Sequence, residues 1–170
     1  AVQQRDGSPY RGARSWLQGG ETSALCPGDP WTIDWLNDIA VQLCKRGADM
    51  IQVDQVVGGA LYWCYSTRHK HPPGPGPWMT NAFRTQLQTM LRACRAVDRD
   101  AVVCFEEPNE LFIQEVAIQD YRDFEILRRG SPSAELASVF NYVYHEYLPT
   151  FQSNPAPGDT FMAAYCLVDG

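Results

Sequence analysis

The stretch Gly47-Ala48-Asp49-Met50-Ile51-Gln52-Val53-Asp54-Gln55 constrains the chain most. A segment of helical period ends in Lys45-Arg46-Gly47, and glycine is the usual residue just past a helix end. A short apolar run follows and delivers the carboxylate of Asp54 where a buried strand should stop. Helix, turn and short apolar strand in that order is the grammar of a parallel α/β sheet. In such sheets chemistry tends to gather at the carboxyl ends of the strands.

The same grammar recurs. From Trp31 to Arg46 the apolar positions Trp31, Trp35, Ile39 and Leu43 repeat every fourth residue, widened by Leu36 and Ala40. Asp29 suits an N-cap and Pro30 a first helical residue, while Lys45 and Arg46 suit the negative end of the helix. The tryptophans read as core. A second helix is expected over 81–97, with Phe83, Leu87, Met90, Leu91 and Cys94 on one face. It leads into Ala101-Val102-Val103-Cys104-Phe105, an unbroken apolar run that ends in Glu106-Glu107-Pro108-Asn109-Glu110. Residues 111–127 read as helical. The β-branched and aromatic run 138–145 reads as a further strand, ending in His145 and Glu146, and 161–167 as another.

Strands at roughly 49–54, 101–106, 138–145 and 161–167, separated by helices, are the βαβα pattern of a parallel sheet. The expected class is α/β, a partial (β/α)8 TIM barrel. A complete barrel takes about 250 residues, so 170 would hold about half. The whole of 1–170 is read as one partial catalytic-type domain: a loop-rich opening at 1–30, βα units over 31–150 and the start of a further unit at 151–170. Tyr10 and Trp16 in the opening segment suit either a sugar platform or the packing of a long loop.

Composition narrows the function classes. A formal charge of -6 and a pI near 5.0 leave no basic stripe for phosphates, so no nucleic-acid partner is expected, and a neutral substrate such as a sugar fits. No run approaches the length of a membrane span and no signal peptide is visible, so no membrane partner is expected; the compartment and oligomeric state stay open. The six cysteines lie outside the short spacing of a zinc or redox site and read mainly as buried free thiols.

Residues 56–77 are rich in glycine, proline and aromatics and hold two of the three histidines, His69 and His71. The segment is too long for an idle connector. Cys64, His69 and His71 alone are few for a metal, so hydrogen bonding to a hydroxylated substrate or to the loop itself is preferred, and no cofactor is expected.

Asp54 and Glu106, each at a strand end, suit glycoside hydrolysis: one carboxylate attacks or stabilises the sugar cation, the other protonates the leaving oxygen. Acidic residues opening a helix would account for Glu107 and Glu110 equally well. A separation of about 5–5.5 Å between the two carboxyl groups would mean retention, and a wider gap inversion.

The stretch at 47–55, then Cys64-Tyr65, His69-x-His71-Pro72-x-Gly74-x-Gly76-x-x-Trp78, Phe105-Glu106-x-Pro108-x-Glu110 and Val143-Tyr144-His145-Glu146-Tyr147 is similar to a bacterial family of glycoside-hydrolase-like TIM barrels. That family is distantly akin to the retaining α-glycosidases, the α-amylase and endo-α-N-acetylgalactosaminidase groups among them. The similarity spans roughly 26–150. It implies a glycosidase acting on α-linked carbohydrate, with Asp54 as nucleophile and Glu106 as acid/base; Glu107 competes for the second role. Tyr65, His69, His71, Trp78, Glu107, Glu110, His145 and Glu146 are the expected substrate-binding residues. A third carboxylate is expected beyond Gly170. The alternatives are a non-catalytic carbohydrate-binding barrel and a metal-dependent hydrolase using Cys64, His69, His71 and Asp54.

Overall fold

The computed structural model describes residues 1–11, 22–54, 62–106, 109–121 and 139–152, with Gly158, Thr160 and Ala164. The chain forms two compact units, Ala1–Asp49 with Ala60–Ala101, and Met50–Gly59 with Val102–Gly170. Each is described by itself.

The first unit is built on two helices, α1 (Pro30–Cys44) and α2 (Trp78–Arg95). Asp29 caps α1 by accepting the Trp31 N–H at 3.3 Å, and Pro30 occupies the first turn, where a missing N–H costs nothing. The helix stops at Gly47, whose φ of 93° is the left-handed conformation that lets Gly47 N–H and Ala48 N–H turn back to Cys44 and Leu43 carbonyls. At the end of α2, Arg95 donates to the Ala101 carbonyl. The helices pack against each other, with Gln86 of α2 donating to Asn37 of α1 at 3.0 Å.

The inner face of α1 differs from the expected one. Thr32, Ala40 and Cys44 are buried, whereas Trp31, Trp35, Ile39 and Leu43 stand 59%, 44%, 40% and 40% exposed. The two rows are one residue apart, about 100° around the helix. Small side chains let α2 approach closely, so the bulky row turns outward. The tryptophans are therefore not core in this unit; their rings stack on each other, 5.6 Å between centroids.

The second unit is a four-stranded parallel sheet in the order β1 (Met50–Val53), β2 (Val102–Phe105), β3 (Ile118–Tyr121), β4 (Thr150–Gln152). β1 and β2 lie where expected. The next two do not. Residues expected as helix contain instead a 3-10 turn at Glu110–Phe112 followed by β3. The run expected as strand forms a short helix, α3 (Val139–Tyr144), and the chain becomes extended only at Thr150. Aromatic and β-branched content favours a strand, but a four-residue period also runs here: the Phe140 and Tyr144 rings meet at 4.9 Å. Buried Leu148 and exposed Pro149 then end the turn and lead into β4. Of the strand expected at 161–167, only Ala164 is among the described residues, and it is helical.

The core of this unit centres on β2, with Val103, Cys104 and Phe105 fully buried. Phe105 meets Phe112 edge to face at 5.0 Å. No helix among the described residues is long and apolar enough to cross a membrane.

Candidate functional site

In the second unit, Asp54 and Glu106 directly follow two paired strands. Gln52 pairs with Cys104 and Val53 with Phe105, so one step further Asp54 and Glu106 stand at neighbouring positions just past β1 and β2. The β2–β3 register sets Cys104 beside Ile118 and Phe105 beside Gln119. Carried one residue on, it adds Asp120 to the same row. Three carboxylates thus share one row: Asp54 and Glu106 just past β1 and β2, and Asp120 one residue before the end of β3. Side chains in a strand alternate between faces, so Gln52, two residues before Asp54, shares its face. Gln52 Nε2 donates to Asp120 Oδ2 at 3.4 Å, linking β1 to β3 over that face.

The three acids differ in exposure. Asp54 is open to water, while Glu106 and Asp120 are 2% exposed. Under the row lies Cys104, whose thiol is pushed up to about 12 by burial and, secondarily, by the Asp120 carboxylate. The segment after Glu106 is anchored by Gln119, which accepts the Asn109 N–H at 2.9 Å and donates back to the Asn109 carbonyl at 3.2 Å. Asp120 was not expected, because 111–127 read as helical. The signal was nonetheless present: Ala117-Ile118-Gln119-Asp120 repeats the short run ending in an acid seen at Ile51-Gln52-Val53-Asp54.

Other expected site residues of this unit fall elsewhere. Glu107 lies outside the described residues. Glu110 is exposed and opens the 3-10 turn capped by Asn109. His145 and Glu146 are exposed and follow a helix rather than a strand; His145 Nδ1 sits 3.1 Å from the Asn141 carbonyl, one turn back. They do not occupy a strand end because the element before them is α3.

In the first unit, Tyr65, His69, His71 and Trp78 come together around two buried cysteines. Cys26 and Cys64 are fully buried beside Val2, with Tyr10, Tyr62 and Trp78 packed against them. Cys26 Sγ lies 3.2 Å from His71 Nε2, and Cys64 Sγ lies 3.4 Å from His69 Nδ1. One donor atom from each of the four residues falls within 4.8 Å of all the others. His71 stacks on Trp78 with 3.6 Å between centroids, and the Trp78 N–H donates to the Gly74 carbonyl. Tyr65 packs on the Gly74 turn, under the Arg5 guanidinium. Gly28 has no room for a side chain, since a Cβ there would sit 2.5 Å from His71 Cδ2.

Burial pushes the Cys26 thiol up to about 12, against the lowering effect of the Gly28 N–H. Burial also pushes His69 down, opposed by the Asp29 carboxylate 3.7 Å away. Cys26 is the member that sequence spacing missed, because 38 residues separate it from Cys64 and no local motif joins them. Asp54 is not a member of this group.

Residues 1–154 match the family described as "Domain of unknown function (DUF6259)". The chain belongs to that family. No match is found among curated proteins. Among solved structures, the fold is similar to that of the alpha-N-acetylgalactosaminidase NagBb from Bifidobacterium bifidum, at 18% identity and a TM-score of 0.60, covering 96% of this chain and 26% of that one. It is also similar to TtGalA, an alpha-galactosidase from Thermus thermophilus, at 14% identity and a TM-score of 0.52, covering 98% and 42%. The chain therefore spans 26% of the length of the first enzyme and 42% of the second. At these identities the likeness is one of fold: an α/β arrangement with a parallel sheet, shared with glycoside hydrolases.

Proposed function

We propose that this chain is part of a glycoside hydrolase, a partial (β/α)8 barrel that cleaves α-linked glycosidic bonds with retention. The observation that carries the reading is the β1–β2 register, which sets Asp54 beside Glu106 at the carboxyl end of a parallel sheet. Neighbouring strands run about 4.8 Å apart. That spacing fits the carboxyl separation of about 5–5.5 Å used by retaining enzymes. The fold likeness to an alpha-N-acetylgalactosaminidase and an alpha-galactosidase supports a carbohydrate substrate of the same broad class.

In this reading Asp54 is the nucleophile and Glu106 the acid/base. The two differ in exposure, Glu106 being buried and Asp54 open to water. Glu106 first protonates the leaving oxygen while Asp54 attacks the anomeric carbon; it then takes a proton from the water that hydrolyses the glycosyl-enzyme ester. Asp120 holds the third place in the row and, through Gln52, ties the strand carrying Asp54 to its neighbours.

The test uses the full-length protein with aryl α-galactosides and α-N-acetylgalactosaminides, following the anomer first released by NMR. Retained α-product, lost in Asp54→Asn, is the expected result. First release of the β-anomer overturns retention, and an unaffected Asp54→Asn overturns the site.

A further inference from the structure

We propose that Cys26, Cys64, His69 and His71 form a structural zinc site that fastens the segment before α1 to the loop before α2. The set is soft sulfur and imidazole nitrogen in equal number, which is zinc chemistry, and with four protein ligands such a site is closed.

The geometry suits a tetrahedron. Zn–S of about 2.3 Å and Zn–N of about 2.0–2.1 Å put neighbouring donors of a tetrahedral centre about 3.3–3.8 Å apart. The two Cys–His contacts, at 3.2 and 3.4 Å, are close to such edges, and the remaining pairs lie within 4.8 Å.

The outward nitrogens carry the second argument. His71 Nδ1 is 2.8 Å from the Pro72 carbonyl, an acceptor only, so Nδ1 bears the hydrogen and the Nε2 lone pair faces Cys26. His69 turns its Nε2 toward the Asp29 carboxylate, 3.7 Å away, and its Nδ1 toward Cys64. Carbonyl and carboxylate acceptors on the far nitrogen are the usual supports of metal-bound histidine. The Gln3 N–H reaches Cys64 Sγ at 3.4 Å, a donor toward a sulfur that carries charge when bound to metal. The His71 ring is held between Gly28 and Trp78, so its position is set before any ion arrives.

The ion would replace two thiol protons, which pass to solvent, with no change of oxidation state. It would stabilise a region whose ordering rests on a small buried cluster, Val2 with the two cysteines. Because its four positions are taken by protein, it does not act on substrate, and the inference stands apart from the glycosidase reading.

The experiment is metal analysis of the purified full-length protein, together with titration of the metal-free protein by cobalt(II) and then zinc. Expected are one zinc per chain, thiolate-to-cobalt charge-transfer bands with tetrahedral d–d absorption, and displacement of cobalt by one equivalent of zinc. The Asp29→Asn variant, which keeps a capping side chain, should bind zinc about 10- to 100-fold more weakly. Cys26→Ser with Cys64→Ser should abolish the cobalt bands. Absence of zinc in the isolated protein with no uptake on titration overturns the proposal, as does a Cys26–Cys64 disulfide found in the native protein. Retention of zinc by the double serine variant overturns the ligand set. None of these readouts depends on catalytic activity.

Discussion

The cysteine–histidine group of the first unit and the carboxylate row of the second are built on opposite plans. The former gathers residues 26, 64, 69 and 71 from loops into a buried, inward-facing cluster, with each outward histidine nitrogen supported by an oxygen. The latter sets three acids in one row at or near the ends of consecutive strands, one open to water and two buried. Closure suits holding and an open edge suits reacting. A donor set that satisfies itself has no position left for substrate, whereas the row of acids leaves one of its members, Asp54, open to water.

Substitution should separate the two plans. In the full-length protein, Asp54→Asn and Glu106→Gln should each lower kcat by about 10²–10⁴-fold, with circular dichroism and zinc content unchanged. Near-normal turnover in either variant would break the carboxylate half of the contrast. Asp120→Asn should have a smaller effect, about tenfold in kcat, equivalent to about 1.4 kcal/mol of barrier; an effect equal to that of Glu106→Gln would make Asp120 the proton donor.

Gly28→Ala should act on the other side of the contrast. Its methyl group would displace His71 and cost about 1–3 kcal/mol in denaturant unfolding. Turnover per folded molecule should hold, and an undiminished stability would mean that the His71 stack yields freely. Removal of metal by a chelator should lower the melting temperature, with one equivalent of zinc restoring it.

The smallest effects are expected outside both groups. Trp35→Ser should shift stability by about 0.5 kcal/mol or less, as for an exposed residue; a loss as large as that of Leu87→Ala, about 2–5 kcal/mol, would return the tryptophan row to a core. Cys94 and Cys104, both pushed up to about 12 by burial, should resist alkylation at pH 8 in the native protein and react on unfolding.

Several of these features were legible in the residues alone. Gly47 after a helical period, Asp29-Pro30 before one, and the apolar runs ending in Asp54 and Glu106 are local signals, set by backbone conformation and capping within a few residues. They determined α1, β1 and β2, and with them the positions of Asp54 and Glu106 just past two strands. What lay beyond was decided by partners distant in sequence. Residues 118–121 are extended because β2 offers them a ladder, and 139–144 are helical although their propensity favours a strand. Which face of α1 turns inward depended on how closely α2 could approach. The junction of Cys26 with Cys64, His69 and His71, like the addition of Asp120 to the acidic row, exists only once loops and strands are folded against one another. Residue type supplies a donor or an acid at each position, but the distances between positions far apart in the chain are fixed by packing and register, which local sequence does not encode.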